Sequence, residues 1–138
     1  MADIIYNTFK EYVGDNTIDM DNDTFKIALM AATYTPDATH STWSDVSAYE
    51  ISGTGYSAGG ATLSGVTWTR TSGTVKFDAT DASWSSATFT ARYAIIYSDT
   101  PTSPADPLVC MLDFSTSQSV VSGTFTVVFN ASGILTLA

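Results

Sequence analysis

Residues 87–98 read ATFTARYAIIYS, and their pattern decides the fold. Phe89, Ala91, Tyr93, Ile95 and Tyr97 recur at every second position, the period of a strand with one buried face. Aromatic and β-branched residues fill the run, and neither Gly nor Pro interrupts it. A helix would need its apolar positions three and four residues apart. The segment predicts a β-strand, the longest in the chain.

Working outward, the same period recurs. TFKIALMA (24–31) alternates Phe25, Ile27 and Leu29 against Thr24, Lys26 and Ala28. GVTWTRT (65–71) sets Val66, Trp68 and Arg70 on one face, and TVKFDA (74–79) turns Val75 and Phe77 inward. Downstream, PLVCMLDF (107–114) is apolar on both faces and reads as a central strand. GTFTVVFNA (123–131) has Phe125, Val127 and Phe129 in phase, and GILTLA (133–138) follows. Clusters of Gly, Ser, Asp and Pro at 71–73, 80–86, 99–107, 117–123 and 131–133 predict turns. This spacing implies an all-β protein, an antiparallel β-sandwich of jelly-roll or immunoglobulin-like type.

Two stretches depart from the strand pattern. In DIIYNTFKEYV (3–13), Ile5, Phe9 and Val13 stand four apart, predicting a short amphipathic helix that starts near Asp3 and stops at Gly14. So short a helix is marginal alone and must dock on something. Residues 34–60 form one long irregular stretch rich in Ser, Thr and Gly, a length that compact domains keep for binding or packing. No internal repeat or linker divides the chain. Residues 1–138 are expected to form a single sandwich domain with a helical arm at 1–14.

Composition narrows the function. Hydrophobic residues make up 44% of the chain, enough to build a core without staples. The 14 acids and 5 bases leave a net charge of −9, with Lys10, Lys26, Arg70, Lys76 and Arg92 scattered. Phosphate backbones and anionic membranes would both be repelled, so neither nucleic acid nor membrane is expected as a partner. Cys110 is the only cysteine and lies in an apolar run, which suits a buried thiol with no disulfide. The first residues lack a basic, signal-like pattern, and no run approaches the ~20 apolar residues of a membrane span. Synthesis and assembly in a cytosol are the expectation.

Several motifs invite chemical readings. GTGYSAGGATL (53–63) has the density of glycine seen in phosphate-binding loops. Its third glycine comes one position late for a dinucleotide fingerprint, no Lys follows Gly59 or Gly60, and a strand pattern succeeds it. The glycines therefore predict positive φ or close backbone approach, and no cofactor. Asp19, Asp21 and Asp23 alternate as at the start of an EF-hand, but Thr24 and Met30 stand where Gly and Glu are required. They predict a solvated acidic turn, with a weak Ca²⁺ site as the lesser reading.

His40, the sole histidine, has Ser41 and Asp45 beside it in sequence, which does not make a triad. Glu50, Asp78 and Asp81 could form a glycosidase pair only at a defined separation in a cleft. No catalytic residue is assigned. Arg92 lies inside the longest strand, where a charge calls for a carboxylate partner, Asp78 or Asp81 being expected. Trp43, Trp68 and Trp84 can stack a sugar but more often fill cores and interfaces.

The order of segments resembles a family of small tailed-bacteriophage virion structural proteins. The likeness runs from about Tyr6 to the C-terminus and rests on YNTFK, IDMDNDTFKIALM, YTPDATH, GTGYSAGGATL, VKFDATDASWSSATFTARYAIIY and GTFTVVFNASGILTL. It implies a non-enzymatic part of the particle, foremost a capsid decoration (cement) protein on the outer head surface. Its partners would be the major capsid protein and itself, as a homo-oligomer expected to be a trimer. A tail, baseplate or carbohydrate-binding receptor component is the alternative, and a small hydrolase the remote one. The arm and the 34–60 stretch offer the apolar contacts: Ile4, Ile5, Phe9, Trp43, Tyr49 and Tyr56.

Overall fold

The strand predicted at 87–98 forms, and it starts earlier. In the computed structural model, which describes residues 3–138, it is the end of β6 (Ala82–Ser98), a strand of 17 residues. It pairs antiparallel with β7 (Leu108–Val127), 20 residues long, from Ala82 opposite Val127 to Tyr97 opposite Leu108. This hairpin absorbs two of the predicted turns. Residues 80–86 and 117–123 carry turn-forming Ser and Gly, but the chain does not reverse there. Ser86, Ser115 and Ser122 take positive φ (48°, 70° and 48°), and the register shifts between Trp84 and Ala87 and between Ala87 and Phe89. Small residues make β-bulges inside continuous strands, so PLVCMLDF and GTFTVVF belong to one strand and not two.

The remaining strands are β1 (Ile4–Ile5), β2 (Phe25–Met30), β3 (Ala61–Thr62), β4 (Thr67–Thr71), β5 (Thr74–Asp78) and β8 (Leu135–Leu137). They complete two antiparallel sheets, one in the order β1-β7-β6-β2-β3 and one in the order β4-β5-β8. With the short N-terminal helix α1 (Asn7–Gly14), this is the all-β sandwich expected. The helix begins at Asn7 and not near Asp3, because Ile4 and Ile5 pair with Met111 and Cys110 on β7. It ends through Asn16, whose φ of 65° is the left-handed conformation that Asn tolerates and most residues do not.

Around β2, the end of β6 and the start of β7, the larger sheet is covered on both faces. Phe25, Ile27 and Leu29 of β2 point to one side, with Phe89, Val109, Phe77 and Leu135. Ala28 and Met30 point to the other and are also buried, beneath Tyr6, Tyr34 and Val46. On β6 the expected single face breaks at a register shift between Ala91 and Tyr93. Phe89 and Ala91 face the smaller sheet, whereas Tyr93, Ile95 and Tyr97 face the opposite cluster. One bulged residue suffices to exchange the faces of everything beyond it.

Residues 34–60 are less irregular than their composition suggests. They hold α2 (Trp43–Val46) and a 3₁₀ turn at Ser47–Tyr49. Thr42 and Asp45 form a capping box at the start of α2. The segment then returns along β2, with Ile51 N–H donating to the Leu29 carbonyl at 3.0 Å and Ala31 N–H to that of Tyr49 at 2.9 Å. It covers the β2 edge of the sheet.

Candidate functional site

The glycine loop is held against the sheet, and its glycines are what let it come so close. A side chain at Gly53 would lie 2.6 Å from the Thr88 carbonyl oxygen, and one at Gly55 would lie 2.9 Å from Ala87 Cα. At Gly60, with φ of 84°, a side chain would run into the Ile27 backbone. The close-approach reading holds. Tyr56 anchors the loop: its hydroxyl donates to Glu50 Oε2 at 2.6 Å and accepts the Leu29 N–H at 2.9 Å. Glu50 Oε2 also receives the Gly59 N–H at 2.8 Å, and the Tyr97 hydroxyl donates to the Gly59 carbonyl at 2.6 Å. Burial, reinforced by the hydrogen bond to Glu50, pushes the Tyr56 phenol well above its ordinary pKa. It remains a neutral hydrogen-bonding group.

The other polar candidates are likewise engaged within the fold. Asp19 accepts the Asn22 side-chain amide at 3.0 Å and the N–H groups of Asp21 and Asn22, and these bonds hold its carboxyl below the usual range. Asp23 accepts the Ser98 hydroxyl at 2.8 Å and the Asp19 N–H at 3.1 Å. This is a self-closed acidic turn, and no group of carboxylates, His or Cys able to hold a metal occurs among the described residues. The Ser41 and Thr42 N–H groups donate to Asp45, the N3 carboxylate of the capping box, and hold its pKa below the usual range. His40 Nδ1 instead meets the Tyr34 hydroxyl at 3.1 Å, which continues to Tyr6 at 2.9 Å. Asp78 faces Lys76 at 3.7 Å, and Asp81 receives the Phe129 N–H at 2.9 Å. Cys110 is fully buried, and that burial raises its thiol pKa.

Arg92 does not pair with Asp78 or Asp81. Its guanidinium donates to Asp113, and its carbon lies 4.6 Å above the Tyr93 ring. Asp113 sits opposite Tyr93 on β7, so the long hairpin delivers the carboxylate across the strands. Sequence reasoning missed this because Asp113 closes an apolar segment and the pairing register is not written in either strand alone.

The expected contact residues divide. Ile5 (37% exposed) and Tyr49 (41%) stand at the surface. Phe9 is buried in the larger core cluster, so it anchors α1 to its own domain. Ile4 is partly buried against the second cluster. Trp43 stacks on Tyr97 with ring centres 4.8 Å apart, and Tyr56 is half-buried under the glycine loop. Trp84 is in the core against Phe125, and Trp68 is partly buried beside the same cluster.

A different surface goes unremarked in the sequence reading. Among the described residues, Val121, Val128 and Leu137 are the most exposed large apolar side chains. Two recesses flank β8 and share Leu135 and Thr136. The larger, about 880 Å³, reaches Phe114 and Phe125; the smaller, about 340 Å³, lies against Phe9 and Trp68. One signal could have revealed this face: no charged residue occurs after Asp113. Among the described residues, no helix is long and apolar enough to cross a membrane. Set against known protein families, curated proteins and solved structures, the chain matches none.

Proposed function

We propose that this chain is a non-enzymatic structural protein of a tailed-bacteriophage virion, a decoration protein that clamps major-capsid subunits from outside the head. The ordered series of segments from YNTFK to GTFTVVFNASGILTL carries the reading. The chemistry of the fold is compatible with it. Glu50, Asp78, Asp81 and His40 each have their own internal partner, so their chemistry serves the fold. The acidic balance keeps many copies off packaged DNA. A protein that binds only the assembled lattice stabilises it by mass action, by about 2.7 kcal/mol per site at a hundredfold excess over Kd. In this role the chain works as a homo-oligomer, a trimer suiting three-fold lattice positions.

The test is co-sedimentation of the purified protein with expanded heads lacking it. Binding should saturate at many copies per particle, and the heads should withstand higher temperature before releasing DNA. Protein that stays in the supernatant at every concentration, or occupies only a few sites per particle, would refute the head role. The second result would favour a tail component.

A further inference from the structure

We propose that the charge-free C-terminal face, formed by the outer edge of β7 beyond Ser115 together with β8, is where copies of this chain pack on one another. Every charged side chain lies between Asp3 and Asp113, and residues 114–138 carry none. Two copies of a chain with net charge −9 repel. They approach most readily where that charge is absent, and residues 114–138 are the longest uncharged run of the chain, longer than the run at 51–69.

The shape of the face agrees. The larger sheet ends on β7, whose outer side is covered at its start only, by Ser41 at Leu108, Tyr6 at Val109 and β1 at Cys110 and Met111. Just beyond, the carboxylates of Asp3 and Asp113 receive the N–H groups of Asp113 and Ser115. Past that point no strand lies beside the edge among the described residues. Proteins usually guard such an edge with Lys or Pro; here the residues are Ser, Thr, Gln, Gly, Val and Phe. Val128 is 73% exposed beside the larger recess and Leu137 54% exposed beside the smaller, with β8 between them. The opposite edge of the sheet, at β2, is covered by residues 49–51 and by β3. The long open edge of β7 thus falls in the charge-free part of the chain.

A cationic partner would be drawn to the acidic remainder of the surface. At this face the larger recess is bordered by Asp3, whose carboxylate already receives the Asp113 N–H, and the smaller by Lys10, while residues 114–138 offer no carboxylate side chain. A second copy brings the same neutral backbone edge and the same exposed valine and leucine. Backbone hydrogen bonds and apolar contact then supply the affinity. This deepens the decoration reading by assigning the surface of its oligomer, and it moves that surface away from the 34–60 stretch.

The experiment reads the mass of the isolated full chain by sedimentation equilibrium, with thermal unfolding run on each variant. The parent protein should be an oligomer. Val128→Lys with Leu137→Lys should weaken association at least about tenfold, the loss of one energetic contact. The milder pair Val128→Ser with Leu137→Ser should act in the same direction, which separates an interface effect from misfolding. Tyr49→Lys, a matched change in the 34–60 stretch, should leave the mass unaltered. A monomeric parent chain overturns the proposal, as does assembly that survives the face variants or is broken by Tyr49→Lys. No heads are present, so the outcome is independent of whether the protein binds them.

Discussion

The glycine loop at 53–60 and the far half of β7 are written in the same small residues, Ser, Thr and Gly, yet one is closed and the other open. In the loop, Gly53, Gly55 and Gly60 sit where a side chain would strike Thr88, Ala87 or Ile27, and Glu50 and Tyr56 take up the polar groups. In β7, from Ser115 to Thr126, the small side chains mostly face solvent, and several pair only with β6, as Ser119 does with Thr90 at 2.8 Å. Small-residue composition therefore does not say whether a segment is a hinge, a site or a surface. What separates the two is whether their backbones approach other backbones. In the loop the glycines permit contact; along β7 the serines permit bulges.

The sharpest way to break this comparison is Gly60→Ala. The alanine would hold φ near 84° and press its methyl into the Ile27 backbone, which cannot rotate away. Left-handed strain alone costs roughly 1–3 kcal/mol, and the clash adds to it, so a loss of about 3 kcal/mol or more in urea unfolding is expected. Gly14→Ala is the control, because nothing lies within 4 Å of a side chain there. It should be neutral or stabilise by up to ~1 kcal/mol through the unfolded state. Equal effects at the two glycines would mean that the loop is not pressed against the sheet.

Next in size is Tyr56→Phe. The phenyl ring can keep its contacts with Trp84 and Phe89, but the hydroxyl that receives the Leu29 N–H and donates to Glu50 disappears. A part-buried N–H and a carboxylate oxygen then lose a partner together. The expected cost is about 2 kcal/mol, since an orphaned buried group costs ~1–3 kcal/mol. Chemical denaturation with an unchanged m-value checks it; a change below 0.5 kcal/mol, the level of ordinary surface substitutions, would show that water replaces the hydroxyl freely.

These residues also mark how far the sequence could be read. The strands β2, β4, β5 and the end of β6 were legible because apolar residues stand at alternate positions in each, although β2 and the end of β6 bury both faces. The glycine loop was legible because only glycine fits a left-handed or crowded backbone. Three things were hidden. Ser86 and Ser122 signal turns, but in a long hairpin they become bulges, and local composition does not distinguish a bulge from a reversal. Ile4 and Ile5 continue a helical pattern on paper, but a sheet edge at Cys110 and Met111 captures them. Asp113 was invisible as the partner of Arg92 because the contact depends on a register that bulges shift. In each case the deciding fact lies far away along the chain.

The smallest expected effect is the most telling about the open half. Thr90→Val removes a hydroxyl, as Tyr56→Phe does, and breaks a hydrogen bond of 2.8 Å to Ser119. Both side chains are exposed, so water takes the vacated positions and nothing is left unpaired. Valine also suits a strand at least as well as threonine does. Stability should therefore stay within about 0.5 kcal/mol, read as an unchanged urea midpoint. A loss above about 1 kcal/mol, the usual worth of an intramolecular hydrogen bond, would mean that the Ser and Thr rows of β6 and β7 are tied into the fold as firmly as the glycine loop. The free edge of β7 would then have to be explained by rigidity, and its lack of charge would no longer single it out as a surface kept for another copy.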